Sequence, residues 1–314
     1  MYYLGIDLGG TNAAAGVVDE NGKLIAKASV PTQAEKGVDA IIANIAESAN
    51  QAIKAANLTA SDIESIGIGT PGTLDAKTGV VEKASNLGFY ETPLAELVGN
   101  YFPGKKVFIE NDANVAALAE ATSGAAKGTN LSVTVTLGTG IGGGLIMDGK
   151  IFTGANGRGG EFGHMVIESQ GRQCTCGRKG CWEAYASVTG LINLTKEQMQ
   201  QSPESVMWEI AGGSLDRVNG LTSFEGMRRG DKAAKAVVDK YLRYVAEGIL
   251  DIINMLQPEV IVIGGGISKE GDTLLGPVSE IVTKEAFSGK TGTKLMIAKL
   301  GNDAGIIGAA MLRN

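Results

Sequence analysis

No run of lysines and arginines stands out in this chain, and its net charge is −6 at pH 7. That balance argues against nucleic acid as the main partner, because a phosphate backbone is held by a basic patch. No apolar run reaches the length of a membrane span. The opening residues, MYYLGIDLGG, offer neither a basic n-region nor a cleavable apolar segment, so nothing directs the chain to secretion. No linker-like tract divides the sequence. Cysteine occurs three times and histidine once in 314 residues, and pairing two of three thiols would strand the third. A chain that is 44% hydrophobic and 20% charged is ordinary for a globular protein with a substantial core. A cytoplasmic location is expected, since clustered free cysteines suit a reducing compartment.

These few residues are not scattered. His164, Cys174, Cys176 and Cys181 all lie in residues 159–183, GGEFGHMVIESQGRQCTCGRKGCWE. Three thiolates and an imidazole form a closed tetrahedral donor set for zinc. Cys174 and Cys176 are too close in sequence to pair comfortably as a disulfide, and a reduced, metal-free loop is the alternative. Gly177 and Gly180 let a short loop fold back so that the thiolates converge. Such a set leaves no open position for a substrate, so one structural zinc per chain is expected. Glu161 and Glu183 flank the ligands, and the second imidazole nitrogen faces whatever they face. Grouped acceptors suit a polyhydroxylated ligand, while two solvated glutamates are the bland alternative.

Glycine is abundant instead: 46 residues, about 15% against an average near 7%. The glycines cluster after apolar strands. Residues 3–8 read as a buried strand, followed by Gly9-Gly10-Thr11-Asn12 and two returning strands to residue 30. Backbone donors and the Thr11 hydroxyl can cradle phosphate there, and Asp7 can hold magnesium through water. A hairpin that uses glycine only for twist is the competing reading. The pattern recurs with a strand at 131–137, a glycine tip at 138–144 containing Gly138, Thr139 and Gly140, and a return strand at 145–147. DLGGTNAAAGVVDENGKLI lies over TLGTGIGGGLIMDGKIF after small gaps. Two such copies imply a duplicated domain, with both tips aimed at a shared cleft. A third cluster, Gly264-Gly265-Gly266-Ile267-Ser268, follows a strand at 260–263. It lacks G-x-G-x-x-G spacing and suits a flat heterocycle such as adenine lying on the bare backbone of Gly265 and Gly266, beside Ser268.

Apolar spacing predicts a helix over 38–56 and a strand over 63–69, which ends in a turn where Gly72 can approach a ligand. Asn86 sits in a loop at 86–89. A strand at 106–109 runs into Glu110-Asn111-Asp112-Ala113-Asn114 and a helix at 115–121. Asp112 is either the cap of that helix or a carboxylate that accepts a proton from a substrate hydroxyl, with Asn111 orienting the same substrate. One residue suffices to cap, and a strand end is where α/β folds present functional groups. Helices are expected at 184–200, 205–211, 223–229 and 231–257, a strand at 295–300, and a closing helix from Asp303. The boundary is placed near residue 120. It gives a smaller α/β domain at 1–120 and a larger one at 121–314 carrying the zinc loop, with the last helix (303–313) packing back.

Together these residues resemble the ROK family of sugar kinases, and its bacterial glucokinases in particular, over nearly the whole chain. The most specific likeness is C-x-C-G-x-x-G-C-x-E, here CTCGRKGCWE, preceded by E-x-G-H at residues 161–164. The resemblance implies a duplicated ribonuclease-H-like fold, the actin-like ATPase and sugar-kinase architecture, with a cleft between two domains. It also implies that His164 binds zinc and touches the sugar, and that Glu161 and Glu183 bind sugar hydroxyls. D-x-G-G-T and L-G-T-G-x-G-G-G are then phosphate motifs, I-G-G-G-I-S an adenosine motif, and Asp112 the general base. At residues 12–14 the chain reads Asn-Ala-Ala where relatives often carry a lysine or a further threonine, so only backbone donation is expected there. The activity implied is transfer of phosphate from magnesium-ATP to the 6-hydroxyl of a hexose, glucose first. N-acetylmannosamine, N-acetylglucosamine, fructose and allose are alternatives, since the motifs do not separate them. Homodimers or higher homo-oligomers are common among the look-alikes. Sugar-responsive repressors of the same family carry a helix-turn-helix before the first strand, which here begins at residue 2 or 3. A non-catalytic sensor is disfavoured by Asp112.

Overall fold

Strands buried on both faces read as near-continuous runs of small and apolar residues. YYLGIDL and NAAAGVVD are such runs. In the computed structural model, which describes residues 1–289 and 291–312, they form β1 (Tyr2–Leu8) and β2 (Asn12–Asp19). β3 (Leu24–Pro31) alternates half-buried and exposed positions, as an edge strand does. α1 (Val38–Ala55) covers this hairpin with Ile41, Ile42, Ile45 and Ile53. β4 (Ile63–Thr70) lies parallel to β1, in a row that sets Asp7 beside Gly69. Three short strands follow, β5 (Thr73–Asp75), β6 (Val80–Ala84) and β7 (Phe89–Thr92), then α2 (Leu94–Gly99). β8 (Lys106–Asn111) runs parallel to β4, with Gly69 beside Glu110, and leads into α3 (Asp112–Thr122).

β9 (Leu131–Leu137), β10 (Ile141–Met147) and β11 (Lys150–Ile151) begin the second copy. The helices α4 (Glu183–Ala186), α5 (Val188–Gln201), α6 (Met207–Ile210), α7 (Thr222–Arg228) and α8 (Lys232–Leu256) come next. β12 (Val260–Gly264), α9 (Asp272–Glu285), β13 (Lys294–Ile297) and α10 (Ala304–Ala310) complete the chain. The first sheet has the order β3-β2-β1-β4-β8 and the second β11-β10-β9-β12-β13. The orders correspond strand for strand, so the repeat seen in the two glycine hairpins extends to whole sheets. The chain forms two units: residues 1–134, 144–160 and 298–314 in the first, and residues 135–143 and 161–297 in the second.

In the first unit, the small residues of α10 let it lie directly on the sheet. A Cβ on Gly5 would overlap the Ile306 carbonyl, and one on Gly67 the Ala309 carbonyl. Any side chain there would have to push a helix off its sheet, an overpacking cost of about 1–3 kcal/mol or more. Buried Glu120 ties α3 to the segment before α10. Its carboxylate accepts from Ala125 N at 2.7 Å and from Lys299 N and Leu300 N at 2.9 Å.

In the second unit, α8 turns one apolar stripe inward, with Val238, Tyr241, Val245, Ile249 and Ile252 buried, though Leu256 at its end is half-buried. Asp231 caps it by accepting from Ala234 N. Trp182 is fully buried against Gly248, where any Cβ would strike the indole, and its Nε1–H donates to Tyr244 O at 2.7 Å.

Three expectations change, and one small sheet and a short helix are new. The helix expected at 184–200 is two helices, because Ser187 turns extended and caps α5 by accepting from Gly190 N. The glycine tip is shorter than 138–144, since β10 starts at Ile141. Gly144 instead makes room for α3, with Ala117 Cβ about where its own side chain would be. The strand expected at 295–300 ends at Ile297. The β5–β7 sheet and α2 went unread, their segments being too short to show a period. Among the described residues, no helix is long and apolar enough to cross a membrane.

Candidate active site

In the first unit, β1, β4 and β8 are mutually parallel neighbours, so their carboxyl ends lie along one sheet edge. Asp7, the turn at Gly72 and the pair Asn111–Asp112 all sit at that edge. The Gly9–Asn12 turn is closed by Gly9 N donating to Asn12 O at 2.9 Å. Thr32 braces it, its hydroxyl donating to Gly9 O at 2.7 Å. Gly10, Thr11 and Asn12 are exposed. Asn86 reaches this tip: its Nδ2 lies 3.3 Å from where a Cβ on Gly10 would be. Gly72 is exposed with φ 102°, backed against the Lys83 carbonyl.

Asn111 is the cap of α3, its Oδ1 accepting from Ala113 N at 2.9 Å and Asn114 N at 3.4 Å. Asp112 stands in the first helical turn, exposed, with Oδ1 accepting from Ala113 N at 2.9 Å. Glu110 and Asn114, buried and not singled out from the sequence, pin this corner. Glu110 Oε1 accepts from Asn111 N at 2.8 Å and from Asn114 Nδ2 at 3.0 Å. Burial pushes the Asp7 carboxyl up from 3.8 to about 6, and the charge of Asp112 adds to the effect. A carboxyl group held up in this way by a neighbouring carboxylate is one whose charge a divalent cation would relieve.

In the second unit, the ends of β9 and β12 meet. A Cβ on Gly265 would overlap the Leu137 carbonyl, so the third glycine cluster lies against the second glycine tip. Gly138 N donates to Gly140 O at 3.0 Å, and the Ser268 hydroxyl donates to Gly265 O at 2.7 Å. Gly265 and Gly266 are exposed. The start of α5 braces the tip from below: Val188 N donates to Gly138 O at 2.8 Å and Thr189 Oγ1 to Thr139 O at 2.7 Å.

The ligating atoms of His164, Cys174, Cys176 and Cys181 all lie within 4.8 Å of one another. His164 Nδ1 is 3.7 Å from Cys174 Sγ, and Cys176 Sγ is 3.6 Å from Cys181 Sγ. Tetrahedral zinc with Zn–S near 2.3 Å sets its ligand atoms about 3.6–3.8 Å apart, so the donor set fits that ion. The loop is shaped by a bridge between Val166 and Cys181 and by Cys174 N donating to Arg178 O at 2.9 Å. Gly177 and Gly180 adopt φ of 92° and 82°. Burial pushes the Cys181 thiol up to about 12, so a cation that ionises it must displace a tightly held proton. With Nδ1 turned to the sulfurs, Nε2 is the nitrogen left for a ligand. Glu161 is exposed just before the His164 turn. Glu183 is engaged within the unit: Ile141 N donates to its Oε2 at 2.8 Å, and Thr175 Oγ1 donates to its Oε1 at 3.3 Å. A cavity of about 840 Å³ runs from Thr139 and Gly140 past Glu183 to Cys174 and Thr175, and on to Asn193 and Lys196 of α5. The α5 wall was missed, because polar residues on a helix face carry no sequence signal of what they line.

The ROK family profile matches residues 3–314. The glucokinase of Thermotoga maritima is 38% identical over 98% of this chain and 96% of its own. The crystal structure of a ROK family glucokinase from Streptomyces griseus, in complex with glucose and AMPPNP, superposes with a TM-score of 0.81 at 33% identity, over 99% of this chain and 98% of that one. The xylose repressor of Caldicellulosiruptor bescii is 30% identical over 82% of this chain and 64% of its own length.

Proposed function

Because the chain belongs to the ROK family, we propose that it transfers the γ-phosphoryl group of ATP to the 6-hydroxyl of a hexose, with glucose the preferred acceptor. The observation that carries this reading is the corner at β8 and α3. Asn111 caps the helix, and the exposed Asp112 carboxylate stands at the sheet end where its charge acts on Asp7. Asp112 accepts the proton of the sugar hydroxyl as that oxygen attacks the γ-phosphorus. The bond from phosphorus to the bridging oxygen breaks, and its electron pair leaves with ADP. The tips at Gly9–Thr11 and Gly138–Gly140 donate backbone N–H groups to the phosphates, and the Gly265-Gly266 backbone with Ser268 receives the adenosine. Asp7 holds magnesium, which supplies charge neutralisation at the phosphates. Asn86, Asn111, Glu161, His164 and Glu183 hold the sugar, and the backbone at Gly72 closes on it.

His164 and the three cysteines hold one zinc per chain, a full ligand set that shapes the sugar-binding wall and takes no part in the transfer. A coupled ADP-release assay over about a dozen sugars tests the function. Glucose should give the highest kcat/KM. A stronger N-acetylated or other hexose would keep the reaction and correct the acceptor, and no sugar above background would overturn the reading.

His164→Cys separates the two roles of that residue. Cys₄ also suits zinc, so elemental analysis should still find about one zinc per chain and the melting temperature should hold. The sugar contact through Nε2 is lost, and KM for glucose should rise roughly tenfold, the worth of one hydrogen bond. Normal KM with zinc retained would leave the histidine a ligand only.

A further inference from the structure

Thr175 stands between two zinc ligands, at the one position of C-x-C that the motif leaves open, and its hydroxyl donates to Glu183 Oε1. The other oxygen of that carboxylate accepts from Ile141 N, the first residue after the Gly138–Gly140 tip. Cys174 Sγ also lies 3.8 Å from Oε1. The tip and the carboxylate are in close contact, since a side chain on Gly140 would overlap Glu183 Oε2. One glutamate therefore joins the metal loop to the phosphate tip, and each end of the link uses a different oxygen.

We propose that Thr175 is a positioning residue, and that through Glu183 it couples metal occupancy to nucleotide binding. This rests on the reading above of the zinc loop and the phosphate tip. A carboxylate offers about four lone-pair directions, so Glu183 can take a sugar hydroxyl while keeping both links. An ordered metal loop fixes Thr175, Thr175 fixes the plane of the Glu183 carboxylate, and that plane sets where the Ile141 N–H and the tip before it point. A loop without its ion holds none of these in one place, and the tip must then be ordered at the expense of nucleotide affinity. Coupling of this kind is reciprocal: nucleotide must tighten the metal by the factor with which the metal tightens nucleotide.

The test measures zinc affinity by competition with a chromophoric chelator, with and without AMPPNP, in the wild type, Thr175→Val and Thr175→Ser. Thr175 is exposed and ligates nothing, so Thr175→Val should match the wild type in zinc stoichiometry and melting temperature. AMPPNP should tighten zinc by about fivefold or more in the wild type, the lower end of ordinary coupling. That factor should fall to within twofold of unity in Thr175→Val and return in Thr175→Ser. Zinc and AMPPNP that both bind with no effect on each other would overturn the inference and leave the site reading intact. So would a coupling factor that Thr175→Val does not change. Protein that binds no zinc, or no AMPPNP, would overturn both.

Discussion

Asp112→Asn should fold normally and bind glucose within about tenfold of the wild type, yet lose turnover by about 10²–10⁴-fold, the range that a positioned general base supplies. The fold is safe because the cap belongs to Asn111, whose Oδ1 takes the Ala113 and Asn114 N–H groups. The asparagine oxygen can still accept from Ala113 N as Asp112 does now. What it cannot do is take a proton from the sugar hydroxyl. Single-turnover phosphoryl transfer and equilibrium glucose titration, run on the same preparation, read the two effects separately. A variant with more than a tenth of normal turnover would remove Asp112 from the role of base. A large loss of glucose affinity with turnover at saturation intact would make it a binding residue.

Asp7→Asn should do two opposite things: abolish most of the activity and stabilise the unliganded protein. Asp7 is half-buried near the end of β1, with Gly305 of α10 packed against its carboxyl group. Burial first, and the charge of Asp112 second, raise its pKa from 3.8 to about 6. The folded state thus holds the proton more tightly than the unfolded chain does. Stability from this group is full below about pH 4, is lost as pH rises toward 6, and stays lost above it. The gap is worth up to about 3 kcal/mol. Asparagine mimics the neutral form at every pH. In magnesium-free buffer at pH 7.5 the variant should melt a few degrees higher than the wild type, and the difference should vanish near pH 4. Turnover should fall at least about a hundredfold, because magnesium-nucleotide loses its carboxylate partner. Equal melting at pH 7.5 would show that Asp7 carries no such cost. Undiminished turnover would remove it from the magnesium site.

Both predictions depend on contacts between distant parts of the chain, and this marks how far the sequence could be read. The metal set was legible because four rare side chains share one short segment. Their ligand atoms do lie within 4.8 Å of one another. The repeat was legible because a hairpin records its own register, and it reappears as two sheets of matching strand order. The ROK membership followed from the motifs those segments carry. Local pattern could not say which of Asn111 and Asp112 caps α3, since both residue types cap well and only the folded corner gives Asn111 the N–H groups. Nor could it tell a glycine that faces a ligand from one that faces a helix. Gly144 reads like the phosphate tip but lies under α3, and Gly5 and Gly67 are bare because α10, more than two hundred residues on, needs the space. The raised affinity of Asp7 for its proton needs Asp112 and α10 around it. The bridge from Thr175 through Glu183 to Ile141 joins residues up to 42 positions apart. Side-chain type and spacing settle which chemistry a segment can support. Burial, charge proximity and the sharing of one acceptor between two donors arise only where the tertiary structure brings remote segments together.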